Sequence, residues 1–217
     1  MNTTRKRVAV LISGRGSNMA ALIAAAKEQD YPAEIALVIS NRADAGGLAI
    51  AQREGVPTRV IDHRPHGKDR ASFERALQVV LEENGIEMIC LGGFMRLFTR
   101  DFVLRWHGRM LNIHPSLLPS FKGLDPHGQA LAAGVKISGA TVHFVEPEMD
   151  SGPIIAQAAV PVLDDDTPET LAARVLAAEH RVYPLALRLV TEGRVRIVNG
   201  RCQSDVTPNP EGLLIVP

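Results

Sequence analysis

Asn112-Ile113-His114-Pro115 sets an amide and an imidazole two positions apart, directly ahead of a proline. In a strand, alternate residues share a face, so Asn112 and His114 would look into one space. An amide donor and an imidazole suit a reaction in which charge builds on an oxygen and a proton must reach a leaving atom. Pro115 ends regular pairing, so His114 stands at a strand terminus, where ligands of open parallel sheets bind. Alone, however, the pair reads more readily as an ordinary hydrogen-bonded histidine, since histidines are often partly buried without a role. Asp150 lies in the polar stretch Glu146-Pro147-Glu148-Met149-Asp150-Ser151-Gly152-Pro153. That stretch reads as a solvated turn, or as the source of a carboxylate that orients an imidazole and favours its protonated form. Spacing alone does not bring Asp150 to His114.

A second constellation is Ser13-Gly14-Arg15-Gly16-Ser17-Asn18, directly after the apolar run Val8–Ile12. A glycine-rich turn between a strand and a helix lets backbone N–H groups approach an anion, and the helix N-terminus adds favourable partial charge. Ser17 and Asn18 can cap the helix or donate to phosphate oxygens. The plain alternative is a tight turn with a capping serine. A dinucleotide site is the chemical rival. It requires a third small residue where Met19 stands, and an acid after the second strand, which instead ends in Ser40-Asn41-Arg42. An arginine there could suit a 2′-phosphate, so that reading is weakened and not removed. The loop suits a terminal phosphate monoester better.

These residues need a scaffold. Strands are predicted at 8–12, 35–40, 58–61, 88–91 and 111–114, and helices at about 19–29, 45–54 and 69–84. The last carries Phe73, Leu77 and Leu81 at helical spacing and stops at Gly85. Strand–helix alternation implies an α/β fold: a Rossmann-like, mostly parallel twisted sheet with flanking helices. Residues 115–126 read as an ordered loop. Strands at 140–145 and 154–162 flank a turn, and a long helix runs from Thr167, its N-cap, to Val190, with Pro168 at the first position. Pro184 should bend or end it. A last strand is expected at 194–198, and the tail from Gly200 is expected to be poorly ordered. The reading is a single domain, 1–217, with a phosphate-binding sub-region at 1–110, a catalytic sub-region at 111–199 and a tail at 200–217.

Composition narrows the function classes. The 217 residues carry 24 Lys+Arg and 24 Asp+Glu, so no general nucleic-acid or membrane surface is implied. The two cysteines, Cys90 and Cys202, make neither a metal pattern nor a disulfide framework, as a reducing cytoplasm would favour. His63-x-x-His66 is no metal set and reads as two solvent-exposed loop residues. Nothing approaches the roughly 20 apolar residues of a membrane helix.

The ordered set of segments resembles the glycinamide ribonucleotide formyltransferase family along nearly the whole chain. The segments are Leu11–Asn18, Ser40–Ala45, Gly93–Arg96, Leu111–Pro119 with Phe121-Lys122-Gly123, Thr141–Val145, Asp150–Pro153 and Glu179–Pro184. The resemblance implies transfer of a formyl group from 10-formyltetrahydrofolate, a co-substrate, to the ribonucleotide's amine in purine synthesis, without a metal. It implies small-molecule partners only, and a monomer or weak homodimer. It implies that Asn112, His114 and Asp150 are the catalytic trio and that Gly16, Ser17, Asn18 and Glu179 hold the ribonucleotide. The folate side falls to Arg70, Met95, Arg96, Leu97 and Phe98, with Asn112 and the turn Glu146, Pro147, Glu148, Met149 and Asp150. For the apolar members the bland alternative is core packing, and for Glu179 a solvated helix face. The chain departs from the family pattern at Asp125-Pro126-His127-Gly128 and Ser138-Gly139-Ala140.

Overall fold

The structure, a computed structural model, describes residues 5–206. Its contacts divide the chain into two compact units. One is Met1–Asn112 with Phe144–Pro147, and the other is Ile113–His143 with Glu148–Pro217.

In the first unit, β1 (Lys6–Ile12), β2 (Ala33–Ser40), β3 (Thr58–Val60), β4 (Met88–Leu91) and β5 (Met110–His114, whose last two residues fall in the second unit) pair in parallel. Val8 to Ile12 are completely buried, as an unbroken apolar run in a parallel sheet covered on both faces must be. The covering helices are α1 (Ser17–Ala26), α2 (Gly46–Arg53), α3 (Arg70–Glu83) and α4 (Arg100–Arg105). Asp69 caps α3 by accepting from the Ser72 N–H at 3.0 Å, and Gly85 leaves it at φ 60°. Phe73, Leu77 and Leu81 recur on one face of α3 and pack with Leu11, Ile39, Ile89 and Trp106. Burying each large side chain of this kind contributes about 1.5–3 kcal/mol.

In the second unit, β6 (Ile137–Phe144) pairs antiparallel with β7 (Ile154–Pro161), and β8 (Val195–Val198) with β9 (Arg201–Ser204). The helices are α5 (Pro126–Ala132) and α6 (Pro168–Thr191). The sheet order is β3-β2-β1-β4-β5-β6-β7, the mostly parallel arrangement expected of this α/β chain. Thr167 caps α6 reciprocally: its side chain accepts from Thr170 N–H, and its own N–H donates to Thr170 Oγ1 at 2.9 Å.

Of the two outcomes open at Pro184, the helix does not end there: α6 continues to Thr191, with Val182, Tyr183, Ala186 and Leu187, on both sides of the proline, buried. The structure corrects two expectations. The segment after Gly200 is not a loose tail as far as Ser204: it returns as β9 through a turn with Asn199 and Gly200 at positive φ. The rest of that expectation, at 207–217, lies outside the described residues. Helices α4 and α5 were not anticipated; each is short and buries only two residues.

Candidate active site

The first unit carries the glycine-rich loop. Gly16 sits at φ 74° as the N-cap of α1, without a side-chain cap, and α1 has no acid in its first turn. The loop is braced on the start of α2, where the Gly47 N–H donates to the Gly14 carbonyl at 3.0 Å. A Cβ on Gly16 would lie 2.8 Å from the Gly47 Cα, and one on Gly47 would lie 2.6 Å from Ile12 Cδ1. Two helix N-termini therefore meet at one loop, a setting that favours an anion. Gly14 and Arg15 are exposed, Ser17 is half-buried and Asn18 is buried. The glycine at 16 is fixed by backbone crowding, so a bulky residue there would displace α2 before it met any ligand.

The dinucleotide reading finds no support in the groups after β2. Asn41 is buried and accepts from the Ser13 hydroxyl at 2.6 Å, so it belongs to an internal network. Arg42 grips Asp44 through two hydrogen bonds, at 3.0 and 2.7 Å. Nor are His63 and His66 exposed loop residues: both are half-buried. His63 Nδ1 lies 3.2 Å from Asn41 Nδ2, and His66 Nδ1 lies 2.8 Å from Ser72 Oγ, with its ring edge-on to Phe73. These contacts are tertiary, and the pair's spacing carried no sign of them. No cluster of three or more metal-ligating side chains occurs among the described residues.

Residues 93–99 follow β4 as an irregular segment with an alternating exposure pattern. Phe94 and Phe98 turn inward and stack on Phe73 and Phe102, with centroids 4.7–6.4 Å apart. Met95 and Leu97 turn outward, at 70% and 61% exposure. Arg96 is half-buried over the Phe73 ring, and Arg70 is exposed at the start of α3. Of the five donor-side candidates named here, then, Phe98 packs inward while Met95 and Leu97 are presented to solvent. Asn112 is half-buried and lies opposite Leu91 in the β4–β5 register. Glu146 is half-buried, with a carboxylate oxygen 3.2 Å from His107 Nδ1, while Pro147 is exposed.

The second unit contains His114 and Asp150, brought together over a separation the sequence did not resolve. His114 Nδ1 lies 3.5 Å from Asp150 Oδ2, and both side chains are less than a tenth exposed. His114 Nε2 lies 2.9 Å from the Phe121 carbonyl. A carbonyl oxygen has no hydrogen to give, so Nε2 must be the donor and the proton sits there. Asp150 is further tied by the Gly123 N–H at 3.0 Å and lies 3.9 Å from His143 Nε2. Phe121, Asp125 and Asp150 all adopt positive φ, a costly conformation for residues with a Cβ and one that clusters at functional sites.

The loop between His114 and α5 is ordered, as expected, by a buried polar network. Ser116 Oγ donates to the Ser120 carbonyl at 2.6 Å, and Thr141 Oγ1 donates to the Ser116 carbonyl at 2.7 Å. Gln157 Nε2 then donates to the Leu118 carbonyl and to Thr141 Oγ1. The Leu118–Pro119 bond is cis. Asp125-Pro126-His127-Gly128 forms one self-consistent start to α5: Asp125 caps the Gly128 N–H at 3.1 Å and Pro126 takes the first position. Ser138-Gly139-Ala140 is buried within β6, where a Cβ on Gly139 would meet the Ala158 carbonyl oxygen at 2.0 Å. Glu179 is 5% exposed, so it is no solvated helix face. Its neighbour His180 has a buried Nε2 without a hydrogen-bond partner. Glu148 and Met149 are exposed.

A family model described as Formyl transferase matches residues 6–187. The chain is 54% identical over 197 residues to the trifunctional purine biosynthetic protein adenosine-3 of Gallus gallus. That match covers 91% of this chain but spans only 20% of the relative's length. The phosphoribosylglycinamide formyltransferase of Haemophilus influenzae is 42% identical, with 88% of this chain and 90% of that protein covered. The crystal structure of glycinamide ribonucleotide transformylase 1 from Symbiobacterium toebii superposes with a TM-score of 0.89 at 47% identity, covering 92% and 94% of the two chains.

Proposed function

The chain belongs to the formyl transferase family, and from that membership we propose that it moves the formyl group of 10-formyltetrahydrofolate to the amine of glycinamide ribonucleotide in purine synthesis. The observation that carries the reading is the buried His114–Asp150 pair. The amine nitrogen attacks the formyl carbon, a C–N bond forms, and charge gathers on the formyl oxygen. Asn112 donates to that oxygen. His114 Nε2 exchanges the Phe121 carbonyl for substrate and delivers a proton to the departing folate nitrogen as the old C–N bond breaks. Asp150 orients the imidazole and, through a water, takes the proton lost by the amine.

Gly16, Ser17 and Asn18 hold the ribonucleotide phosphate, and Glu179 holds the rest of that substrate. Arg70, Met95, Arg96, Leu97 and Phe98, with the turn 146–150, take the folate. The chemistry requires no metal. We further infer a single formyltransferase domain acting in the cytoplasm on small molecules alone, with no nucleic-acid or membrane partner, as a monomer or weak homodimer. No helix among the described residues is long and apolar enough to cross a membrane.

A turnover assay with 10-formyltetrahydrofolate and glycinamide ribonucleotide tests the reading. Formylated ribonucleotide and tetrahydrofolate should appear in equal amounts, and inorganic phosphate should compete with the ribonucleotide only. Absence of product, or competition between phosphate and the folate, would overturn the assignment.

A further inference from the structure

The segment 93–99 is pinned at both ends by buried polar side chains: Ser13, which opens the glycine-rich loop, and Glu74, which belongs to none of the sites above. At its head, the Met95 N–H donates to Ser13 Oγ at 2.9 Å, and Ser13 in turn donates to Asn41 Oδ1 at 2.6 Å. Ser13 is 8% exposed and Asn41 3%. At its foot, Glu74 reaches from α3 with both carboxylate oxygens: Thr99 N–H donates to Oε1 at 2.6 Å and Thr99 Oγ1 donates to Oε2 at 2.5 Å. Glu74 is 5% exposed, although a carboxylate is among the costliest groups to bury. Its burial is justified only where both oxygens are satisfied, as they are here.

Between these ties the backbone makes no regular ladder, and its outward side chains, Met95 and Leu97, touch little that would hold them. Packing of Phe94 and Phe98 alone leaves the segment free to slide along the aromatic stack, because dispersion contacts are not directional. Directional bonds at the two ends remove that freedom. We propose that Ser13 and Glu74 are positioning residues for donor binding: they touch neither substrate, and they hold Met95 and Leu97 in the attitude that receives the folate. The proposal rests on the assignment of 95–98 to the donor.

The test compares Glu74→Gln, Thr99→Val, Thr99→Ser and Ser13→Ala with the wild type. Binding of tetrahydrofolate and of glycinamide ribonucleotide is measured separately, alongside steady-state kinetics. A glutamine offers one acceptor where Thr99 presents two donors, so Glu74→Gln should weaken tetrahydrofolate binding and raise the donor KM about tenfold. Thr99→Val and Ser13→Ala should do the same, while in the Glu74 and Thr99 variants ribonucleotide affinity and kcat at saturating donor stay within about twofold of wild type. Thr99→Ser, which keeps the hydroxyl, should restore donor affinity. Equal loss of both affinities in a Glu74 or Thr99 variant, or unchanged donor affinity in a folded variant, overturns the proposal. If Glu74→Gln fails to fold, the Thr99→Val and Thr99→Ser pair decides alone. Failure of the wild type to bind tetrahydrofolate would instead overturn the donor assignment itself.

Discussion

His114 has both ring nitrogens facing protein acceptors, the Phe121 carbonyl and the Asp150 carboxylate. On the proposed function one of these contacts must yield to substrate, and His114 and Asn112 should then matter more in the transition state than in binding. His114→Ala and Asn112→Ala are each expected to lower kcat by about 10²–10³ while the folded protein keeps its affinity for both substrates. Steady-state kinetics with calorimetric binding checks this, and a kcat near wild type in either variant would remove that residue from the mechanism. The strand that carries Asn112 and His114 was legible from its apolar run and Pro115. The approach of Asp150 was not. It depends on a positive φ at Asp150 and on a loop whose shape is set by Ser116, Thr141 and Gln157, contacts made across long sequence separations. Asp125 and Gly128 are another coupled pair. A Cβ at 128 would stand 2.3 Å from Asp125 Oδ2 and would unseat the cap on α5. Gly128→Ala should therefore cost about 1 kcal/mol by urea denaturation, and much less in an Asp125→Ala background.

At the scale of elements, the strands and the long helices announced themselves because each combines an apolar run with a recognisable start or stop. The reciprocal cap at Thr167 is the clearest example, and Thr167→Ala should lower stability by about 1 kcal/mol in urea with the denaturant slope unchanged. Short α4 and α5 escaped notice because a helix with two buried residues shows no periodicity. The glycine-rich loop was legible as a turn, but its bracing against α2 was not. Gly16→Ala is accordingly expected to lose stability before it loses phosphate binding, since its Cβ would crowd backbone and its φ is 74°. A thermal melt alongside ribonucleotide titration separates the two effects.

For the molecule as a whole, positive and negative side chains balance at 24 each near neutrality, so between about pH 5.5 and 7.5, above the range where carboxylates titrate, the response to acid falls mainly to histidines. Burial holds both His127 and His180 below the ordinary histidine value of 6.5. The unfolded chain then takes up protons first, so the stability these residues supply is intact above 6.5 and drains as the pH falls through their folded values. The urea midpoint should be lower at about pH 5.5 than at about pH 7.5, and His180→Gln should narrow that gap. An unchanged gap would mean that the ring does not titrate in this window.

The outward pose of Met95 carries a consequence of a different kind. Met19, Met88 and Met110 are shielded within the core, whereas Met95 and Met149 stand open at 70% and 54% exposure. Peroxide reaches exposed thioethers first and converts each into a polar, chiral sulfoxide. Mild oxidation should therefore act as a selective chemical edit of the surface proposed to face the donor, raising the folate KM while the fold and ribonucleotide affinity persist. Methionine sulfoxide reductase should reverse it; Met95→Leu should remove the share that Met95 carries, and only Met95→Leu combined with Met149→Leu should be largely immune. If, as proposed, that outward thioether receives the folate, the use of one-carbon units should be sensitive to oxidants.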